Sequence, residues 1–190
     1  MVAVADRRAR LTTTRHSPVA RRRTVARIVT AVAVVLLLLV VASVTGLLPV
    51  RVVRVESGSM TPTLEAGDLV LVQRGPGDLQ RRALVVVRHP DTGEQLVKRA
   101  VALAGDTVRI DDGVLVVNGA PVCEAIDPDR IDGVFFGSVT VPPDEVFVLG
   151  DDRRDSIDSR DFGTVPEDDV LGHVLVRAWP SPGSLPDQRC

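Results

Sequence analysis

The sequence is poor in the residues that most often hold metal ions. It has two cysteines and three scattered histidines, namely Cys123, Cys190, His16, His89 and His173. None of them has the spacing of a metal site. A Ser/His/Asp triad would need His89 or His173 close to a serine, and no local pattern indicates such a pair. We therefore expect no metal centre.

Charge is small in total but unevenly distributed. The formal net charge is -2, which argues against a general nucleic-acid binder. Residues 1–27 carry eight arginines against one aspartate, a net charge of +7, whereas the remainder carries 15 basic and 24 acidic residues, a net charge of -9. Such a division indicates two parts that face different surroundings.

An uncharged segment separates these two parts. From Ile28 to Leu48 the only polar side chains are Thr30, Ser43 and Thr45. As a helix these residues would reach about 31 Å, enough to cross the hydrocarbon core of a bilayer. Buried core helices seldom run so long without a polar face, and cleaved signal peptides have a shorter apolar region followed by a small-residue cleavage site. We predict an uncleaved single-pass anchor, with the basic arm 1–27 in the cytoplasm and all residues after Pro49 outside.

The part after the anchor is predicted to be a mainly β domain. Apolar runs rich in valine and leucine alternate with turn residues, and no long helical periodicity occurs. The predicted strands are residues 50–55, 68–72, 83–87, 95–103, 114–117, 145–149 and 170–178. An Asn-Gly turn predicts a hairpin over 114–122, and one short helical turn is expected near Thr61–Glu65. The proline-rich residues 180–190 predict a loose tail. An extracytoplasmic location permits a disulfide between Cys123 and Cys190, and the sequence leaves this pairing open.

Three short segments after the anchor contain candidate catalytic groups. The first is Ser57-Gly58-Ser59, where glycine allows a sharp turn that could present a serine hydroxyl and its own N–H to a carbonyl. Taken alone, this motif favours an ordinary polar turn. The third segment in chain order is the charged stretch 150–163, most of which is typical of a solvated loop. Ser156 within it could orient an amine, and Asp158 with Arg160 could brace the loop.

The second segment contains Lys98, the only lysine among 23 basic residues. Strand alternation places Leu96, Lys98 and Ala100 on one face. If that face is buried, desolvation lowers the pKa of the lysine, as a lysine general base requires. A solvent-facing strand position is the commoner alternative. Since arginine cannot act as a base near neutral pH, the use of lysine here alone favours a role that requires loss of its proton.

Together the three segments resemble the ordered sequence boxes of bacterial type I signal peptidases, from about residue 50 to residue 178. The matching boxes are Ser57-Gly58-Ser59-Met60, Pro62-Thr63-Leu64, Gly67-Asp68, Lys98-Arg99, Gly105-Asp106, and Gly150-Asp151 through Asp158-Ser159-Arg160 to Gly163. The resemblance implies an extracytoplasmic catalytic domain over 49–179 with a small variable β insertion over about 107–145. It also implies a Ser/Lys endopeptidase that removes signal peptides from exported precursor proteins at the outer face of the plasma membrane.

The resemblance also implies residue roles. Ser59 is the expected nucleophile, Lys98 its general base, and Ser57 the partner of the Ser59 N–H in an oxyanion hole. Ser156 is expected to hold the lysine amine, and Asp158 with Arg160 to form a structural ion pair. The expected substrate-pocket residues are Val55, Met60, Leu64, Leu96 and Val97. Such an enzyme acts beside the lipid bilayer on signal-peptide-bearing precursors, without nucleic acid and without a metal or organic cofactor.

Two other functions stay open at this point. One is a different Ser/Lys protease of the same fold, such as the self-cleaving repressor type, although that group is cytosolic and the anchor argues against it. The other is an anchored β domain that binds a partner without catalysis. It would leave the single lysine and the paired serines unexplained. Hydrogen-bond reach between Ser59 Oγ and Lys98 Nζ would favour the protease.

Overall fold

A computed structural model describes residues 18–44, 48–124, 126, 131 and 135–185. The chain divides into two compact units, one up to Leu47 and one from Leu48 onward. The first contains helix α1, Pro18–Val44. Its segment Val25–Ala42 has a mean hydropathy of 2.8 and is long and apolar enough to cross a membrane. The helix therefore begins earlier than the predicted segment, because the arginine-rich stretch before Ile28 continues the same helix.

The second unit is mainly β, as the sequence predicts. Its strands in the described part of the chain are β1 Val50–Arg54, β2 Leu69–Arg74, β3 Leu84–Arg88, β4 Gln95–Leu103, β5 Thr107–Asp111, β6 Val114–Val117, β7 Ala120–Pro121, β8 Phe136–Thr140, β9 Glu145–Leu149, β10 Val165–Pro166 and β11 Val170–Trp179. A short helix, α2, covers Ser159–Phe162, and a 3-10 turn covers Glu167–Asp169.

The strands form two antiparallel sheets. The larger has the order β1-β2-β11-β3-β4-β9-β10, and the smaller has the order β7-β6-β5-β8. Asn118 and Gly119, both with positive φ, form the tight turn between β6 and β7, which matches the predicted Asn-Gly hairpin. The smaller sheet is built from residues 107–140, within the stretch that the family resemblance assigns to a variable insertion.

Several elements differ from the sequence-based expectation. The sequence patterns do not predict strands β5, β8 and β10, because β8 has a single branched aliphatic residue, β10 has two residues, and β5 mixes charged with apolar positions. The segment Thr61–Glu65 agrees with the expectation, since it forms one short turn in which Leu64 N donates to Met60 O. Helix α2 lies in the charged loop, where the sequence analysis expected no helix. The structure describes the predicted loose tail as far as Leu185. In this part, the backbone N–H groups of Gly183 and Arg177 each donate to the carbonyl oxygen of the other, and Leu185 packs on the core.

The core explains why β3 reads as an unbroken apolar run. Val85 and Val87 pack in one cluster with Val146 and Val148, whereas Leu84 and Val86 pack on the opposite face with Met60 and other residues. A third cluster joins the small sheet to β4 and β9 through side chains such as Phe147 and Leu115. Strands buried on both faces are hydrophobic at every position rather than alternating.

Strand register brings the three predicted segments together. Lys98 on β4 lies opposite Val85 on β3, and β4 pairs with β9 only from Arg99 onward, where Arg99 faces Leu149. The loop after Leu149 therefore leaves the sheet directly beside Lys98. The turn that follows β1 reaches the same place, since Ser59 O accepts a hydrogen bond from Asp152 N at 3.0 Å.

Candidate active site

Ser59, Lys98 and Ser156 form one hydrogen-bonded cluster. Lys98 Nζ lies 3.0 Å from Ser59 Oγ and 2.8 Å from Ser156 Oγ. Ser59 retains 8% of its accessible surface and Lys98 only 2%. The three groups come from the turn after β1, from β4 and from the loop after β9, so the fold rather than chain proximity brings them together. The distance between serine oxygen and lysine nitrogen is that of a direct hydrogen bond.

Burial determines the proton affinity of the lysine. Desolvation of the ammonium lowers the pKa of Lys98 from 10.5 to about 8. The carboxylate of Asp158 opposes this shift, and the guanidinium of Arg160 adds to it. A substantial fraction of the amine is therefore neutral at mildly alkaline pH, and only the neutral form can accept a proton.

Asp158 and Arg160 form a buried bidentate ion pair behind Ser156. Arg160 Nε lies 2.8 Å from Asp158 Oδ1, and Arg160 Nη2 lies 2.9 Å from Asp158 Oδ2. Burial alone would raise the pKa of Asp158, but the hydrogen bonds and charge of Arg160, with further bonds from Gly150 N and Ser156, bring it below the usual value. Asp158 is also the N-cap of α2, where Asp161 completes a capping box. The ion pair thus fixes the loop that carries Ser156.

A second buried ion pair lies next to the lysine along β4. Arg99 Nε and Nη2 bind the two carboxylate oxygens of Asp151 at 2.8 and 2.7 Å. Arg99 Nη1 also donates to Arg82 O, and Nη2 reaches Thr63 Oγ1 at 3.4 Å. Both partners are almost completely buried. The pair ties the strand of Lys98 to the loop of Ser156, and breaking it would leave an uncompensated charge in the interior.

Gly150 lies where the nucleophile turn meets this loop. A Cβ added there would lie 2.2 Å from Ser156 Oγ and 2.7 Å from the backbone oxygen of Ser59. Real side chains do not approach so closely. Glycine is therefore required for the close approach of the two segments rather than for an unusual backbone angle.

Ser57 is the predicted oxyanion donor, and in the structure its hydroxyl hydrogen-bonds Ser59 Oγ at 3.2 Å. Its side chain is exposed at the mouth of the site. The hydroxyl can rotate about its χ1 bond, so this contact does not fix where it points when a substrate carbonyl is bound.

An open cleft of about 610 Å³ leads away from Ser59 between β1 and the start of β4. Among the predicted pocket residues, the ones that line it are Val55, Met60, Leu96 and Val97. Leu64 differs, because it is completely buried in the core cluster with Val70 and Val72 and does not line this cleft. It supports the wall of the cleft from behind.

The remaining residues noted in the sequence lie elsewhere. His89 accepts hydrogen bonds from Asp91 N at 3.1 Å and from Thr92 N at 3.4 Å, both at Nδ1, and packs on Phe162, whereas His173 contacts Pro76 O. Neither histidine lines the cleft. Cys123 is disulfide-bonded, and Cys190, the only other cysteine, lies outside the described residues, as does His16. No group of three potential metal ligands occurs within the described ranges.

The sequence analysis missed three contributors to the site. These are Gly150, the Arg99–Asp151 pair, and the main chain of Asp152 that binds Ser59 O. Arg99 directly follows Lys98, and Asp151 lies in the charged stretch 150–163, so their types alone could have suggested an ion pair. The crowding at Gly150 has no sequence signal, because it depends on how two distant segments pack.

Comparison with known proteins identifies the family. The family model for "Signal peptidase, peptidase S26" matches residues 22–179. A signal peptidase I from Bacillus caldolyticus is 39% identical over 141 residues, which cover 66% of this chain and 78% of the relative. A signal peptidase I from Streptococcus pneumoniae serotype 4 is 30% identical over 167 residues, covering 67% of this chain and 81% of the relative.

A solved structure is also similar to part of this chain. The crystal structure of a signal peptidase I from Enterococcus faecalis V583 is 30% identical, covers 50% of this chain and 96% of its own, and gives a TM-score of 0.45. The family model spans most of the chain, and both relatives are matched over more than two thirds of their own length. The chain therefore belongs to the signal peptidase family, peptidase S26.

Proposed function

We propose that this chain is a membrane-anchored serine endopeptidase that removes N-terminal signal peptides from exported precursor proteins, with Ser59 as nucleophile and Lys98 as general base. The observation that carries the residue roles is the 3.0 Å contact between Ser59 Oγ and the buried Nζ of the only lysine in the chain. Family membership supports the substrate class.

The first chemical step forms an acyl-enzyme. Neutral Lys98 accepts the Ser59 proton while Oγ attacks the carbonyl carbon of the scissile bond. The oxygen of the tetrahedral intermediate becomes negative and is stabilised by the Ser59 N–H and the Ser57 hydroxyl, which turns away from Ser59 Oγ as the oxyanion forms. The C–N bond then breaks, and the Lys98 ammonium gives its proton to the leaving amine. The mature protein departs, and the signal peptide stays joined to Ser59 as an ester.

The second step releases the signal peptide. Lys98, neutral again, accepts a proton from a water molecule that attacks the ester carbonyl. The second tetrahedral intermediate collapses, the C–O bond to Ser59 breaks, and the proton returns to Oγ. The serine, the lysine and backbone and hydroxyl donors supply every group in this scheme, so it uses no metal and no organic cofactor.

Ser156, Asp158 and Arg160 act as positioning residues in this scheme. Ser156 Oγ accepts a hydrogen bond from Lys98 Nζ at 2.8 Å and itself hydrogen-bonds Asp158. Asp158 is fixed in turn by the two bonds from Arg160. This chain holds the amine on its short path to Ser59 and limits the rotation of the long lysine side chain.

The cleft suits an extended peptide. Strand β1 forms one edge of the larger sheet, and β4 pairs with β9 only from Arg99 onward. An extended substrate can therefore add its backbone hydrogen bonds to Val53–Val55 on one side and to Leu96–Val97 on the other. The aliphatic side chains of Val55, Met60 and Leu96 line this cleft, and we propose that they accept small side chains at the first and third residues before the cut.

We further propose that the catalytic domain lies on the outer face of the plasma membrane. The net charge of +7 before Ile28 favours retention of that arm in the cytoplasm. Trypsin added outside sealed spheroplasts should then cut the outer domain and leave an epitope tag at the N-terminus protected. An accessible tag with a protected domain would contradict this orientation and favour a cytosolic Ser/Lys protease.

The residue roles are tested by cleavage of a purified precursor by the full-length chain in lipid vesicles, with the product identified by N-terminal sequencing. Ser59→Ala should abolish cleavage, whereas Ser138→Ala, an exposed serine on the small sheet, should behave as wild type. Lys98→Arg should also abolish cleavage, because guanidinium keeps the charge but cannot accept a proton. More than a small residual turnover in Lys98→Arg would remove the lysine from the mechanism.

A further inference from the structure

Arg51 belongs to the row of β1 side chains that faces the cleft. Along the strand, Arg51 and Val53 are half-buried and Val55 is buried, while Val52 and Arg54 between them are exposed. This alternation places every second side chain on the inner face. Arg51 also lines the cleft that begins at Ser59. The aliphatic floor formed by Val55 and Val53 therefore ends in a guanidinium.

The guanidinium of Arg51 has no partner on its binding edge. Its Nε and Nη2 are buried and make no hydrogen bond within the part of the chain that the structure describes. Through these two nitrogens an arginine can bind both oxygens of a carboxylate. Arg81, Arg99 and Arg160 all bind an aspartate through this same edge. In Arg51 this edge is unfilled but covered, so the side chain must rotate toward the cleft before a ligand can reach the two nitrogens.

The surroundings of Arg51 favour a negative ligand. Burial lowers the pKa of its guanidinium, and repulsion from Arg74 lowers it further, so the positive charge is stabilised less here than in water. Glu56 and Glu94 also line the cleft, but neither bonds Nε or Nη2. A carboxylate held at this edge would satisfy both donors and offset the repulsion from Arg74.

We propose that Arg51 is a specificity residue that binds the carboxylate of an aspartate or glutamate in the substrate, upstream of the cleavage site. The inference rests on the proposed function, and in it the residues before the cut run along β1 from Val55 toward Arg51. At about 3.3 Å per residue, Arg51 lies ~13 Å beyond Val55 along the strand. If Val55 contacts the first and third residues before the cut, Arg51 is level with about the fifth to the seventh.

The test uses the full-length chain in non-ionic detergent micelles, which contain no phosphate groups. Peptide substrates carry glutamate or the isosteric glutamine at the fifth, sixth or seventh position before the cut. We expect one of these positions to show about tenfold higher kcat/KM for glutamate than for glutamine, a typical effect of a charged hydrogen bond. Equal values at all three positions in the wild-type chain would overturn the inference.

Variants then test whether the glutamate preference comes from the guanidinium fork of Arg51, that is, from its Nε and Nη2 edge. Arg51→Met keeps the aliphatic stem and should abolish the preference without slowing cleavage of the glutamine peptides. Arg51→Lys keeps a charge without the fork and should retain only part of the preference. Arg109→Met, a half-exposed arginine on the small sheet that does not line the cleft, should retain all of it. An equal loss in Arg109→Met, or an equal slowing of both peptides in Arg51→Met, would contradict carboxylate binding by this fork.

The neutral peptides separate this inference from the proposed function. Failure of the wild-type chain to cut any glutamine peptide or the parent precursor would count against the proposed function itself. Cleavage of these peptides without a glutamate preference would count against the role of Arg51 alone. A loss in Arg51→Met that appears only in vesicles of anionic phospholipid, with both peptides affected equally, would assign Arg51 to lipid phosphate and likewise overturn the inference.

Discussion

Replacement of Gly150 by alanine tests the packing that brings the catalytic groups together. The added methyl carbon would lie 2.2 Å from Ser156 Oγ and 2.7 Å from the backbone oxygen of Ser59. Rotation of the Ser156 side chain would move Oγ and break its 2.8 Å contact with Lys98 Nζ, but Ser156 Cβ would still lie 2.5 Å from the methyl carbon. The Ser59 oxygen cannot rotate away, so the nucleophile turn itself must shift.

The expected loss is larger for catalysis than for stability. Overpacking of this kind costs about 1–3 kcal/mol of folding free energy. A displacement of the nucleophile by about 1 Å can reduce the rate by roughly 10²-fold. We therefore expect Gly150→Ala to remain folded, to unfold at a lower temperature, and to have a kcat reduced by about 10²-fold or more.

The assay is kcat on a peptide substrate, normalised to folded protein, together with thermal unfolding followed by circular dichroism. Gly137→Ala is the matched control, because a Cβ at Gly137 would meet no atom within 4 Å. It should leave both kcat and the unfolding temperature near wild type. A Gly150→Ala variant with wild-type kcat would refute the argument that close packing at this glycine positions Ser59 and Ser156.

Three further predictions concern the base, the oxyanion hole and the buried ion pair. Because only neutral Lys98 is active and its pKa is about 8, kcat/KM should be low at pH 6, rise through pH 8 and level off above it; a profile flat from pH 6 to 9 would contradict this. Ser57→Ala should lower kcat by about 10²–10³-fold with little change in KM, and an effect confined to KM would assign Ser57 to ground-state binding. Asp151→Ala should cost about 3–5 kcal/mol in chemical denaturation because it leaves Arg99 buried and unpaired. Adding Arg99→Met should recover part of that loss, and no recovery would argue against the ion pair as its cause.

Much of the fold followed from local patterns. The anchor can be predicted because few other structures contain an uncharged run of this length. Strands β3 and β9 can be predicted because strands buried on both faces are apolar at almost every position. Strand β8 was missed because only one of its five residues, Val139, is a branched aliphatic, and β-propensity depends on packing that the sequence does not show. Helix α2 was missed because its stability comes from the Asp158 cap and its contacts rather than from four residues of apolar periodicity.

The sequence likewise indicates some residues of the candidate site and not others. Lys98 could be singled out from residue type, since a single lysine among so many arginines is unusual, whereas the role of Ser59 was indicated only by the family resemblance. The family resemblance places Leu64 in the substrate pocket, but the turn after Ser59 carries it into the core. The crowding at Gly150 and the unfilled fork of Arg51 depend on segments far apart in the chain, so no local pattern could indicate them.

The central claim is that Lys98 is the general base, and its single occurrence permits a direct measurement. Full-length chain grown with ¹³C- and ¹⁵N-labelled lysine and placed in detergent micelles contains one labelled side chain, so its NMR signals can be followed through a pH titration without assignment. We predict that this amine titrates near pH 8 and that kcat/KM rises with the same apparent pKa. Titration near 10.5, the value of an exposed lysine, in an enzyme whose kcat/KM still rises through pH 8 would contradict the account.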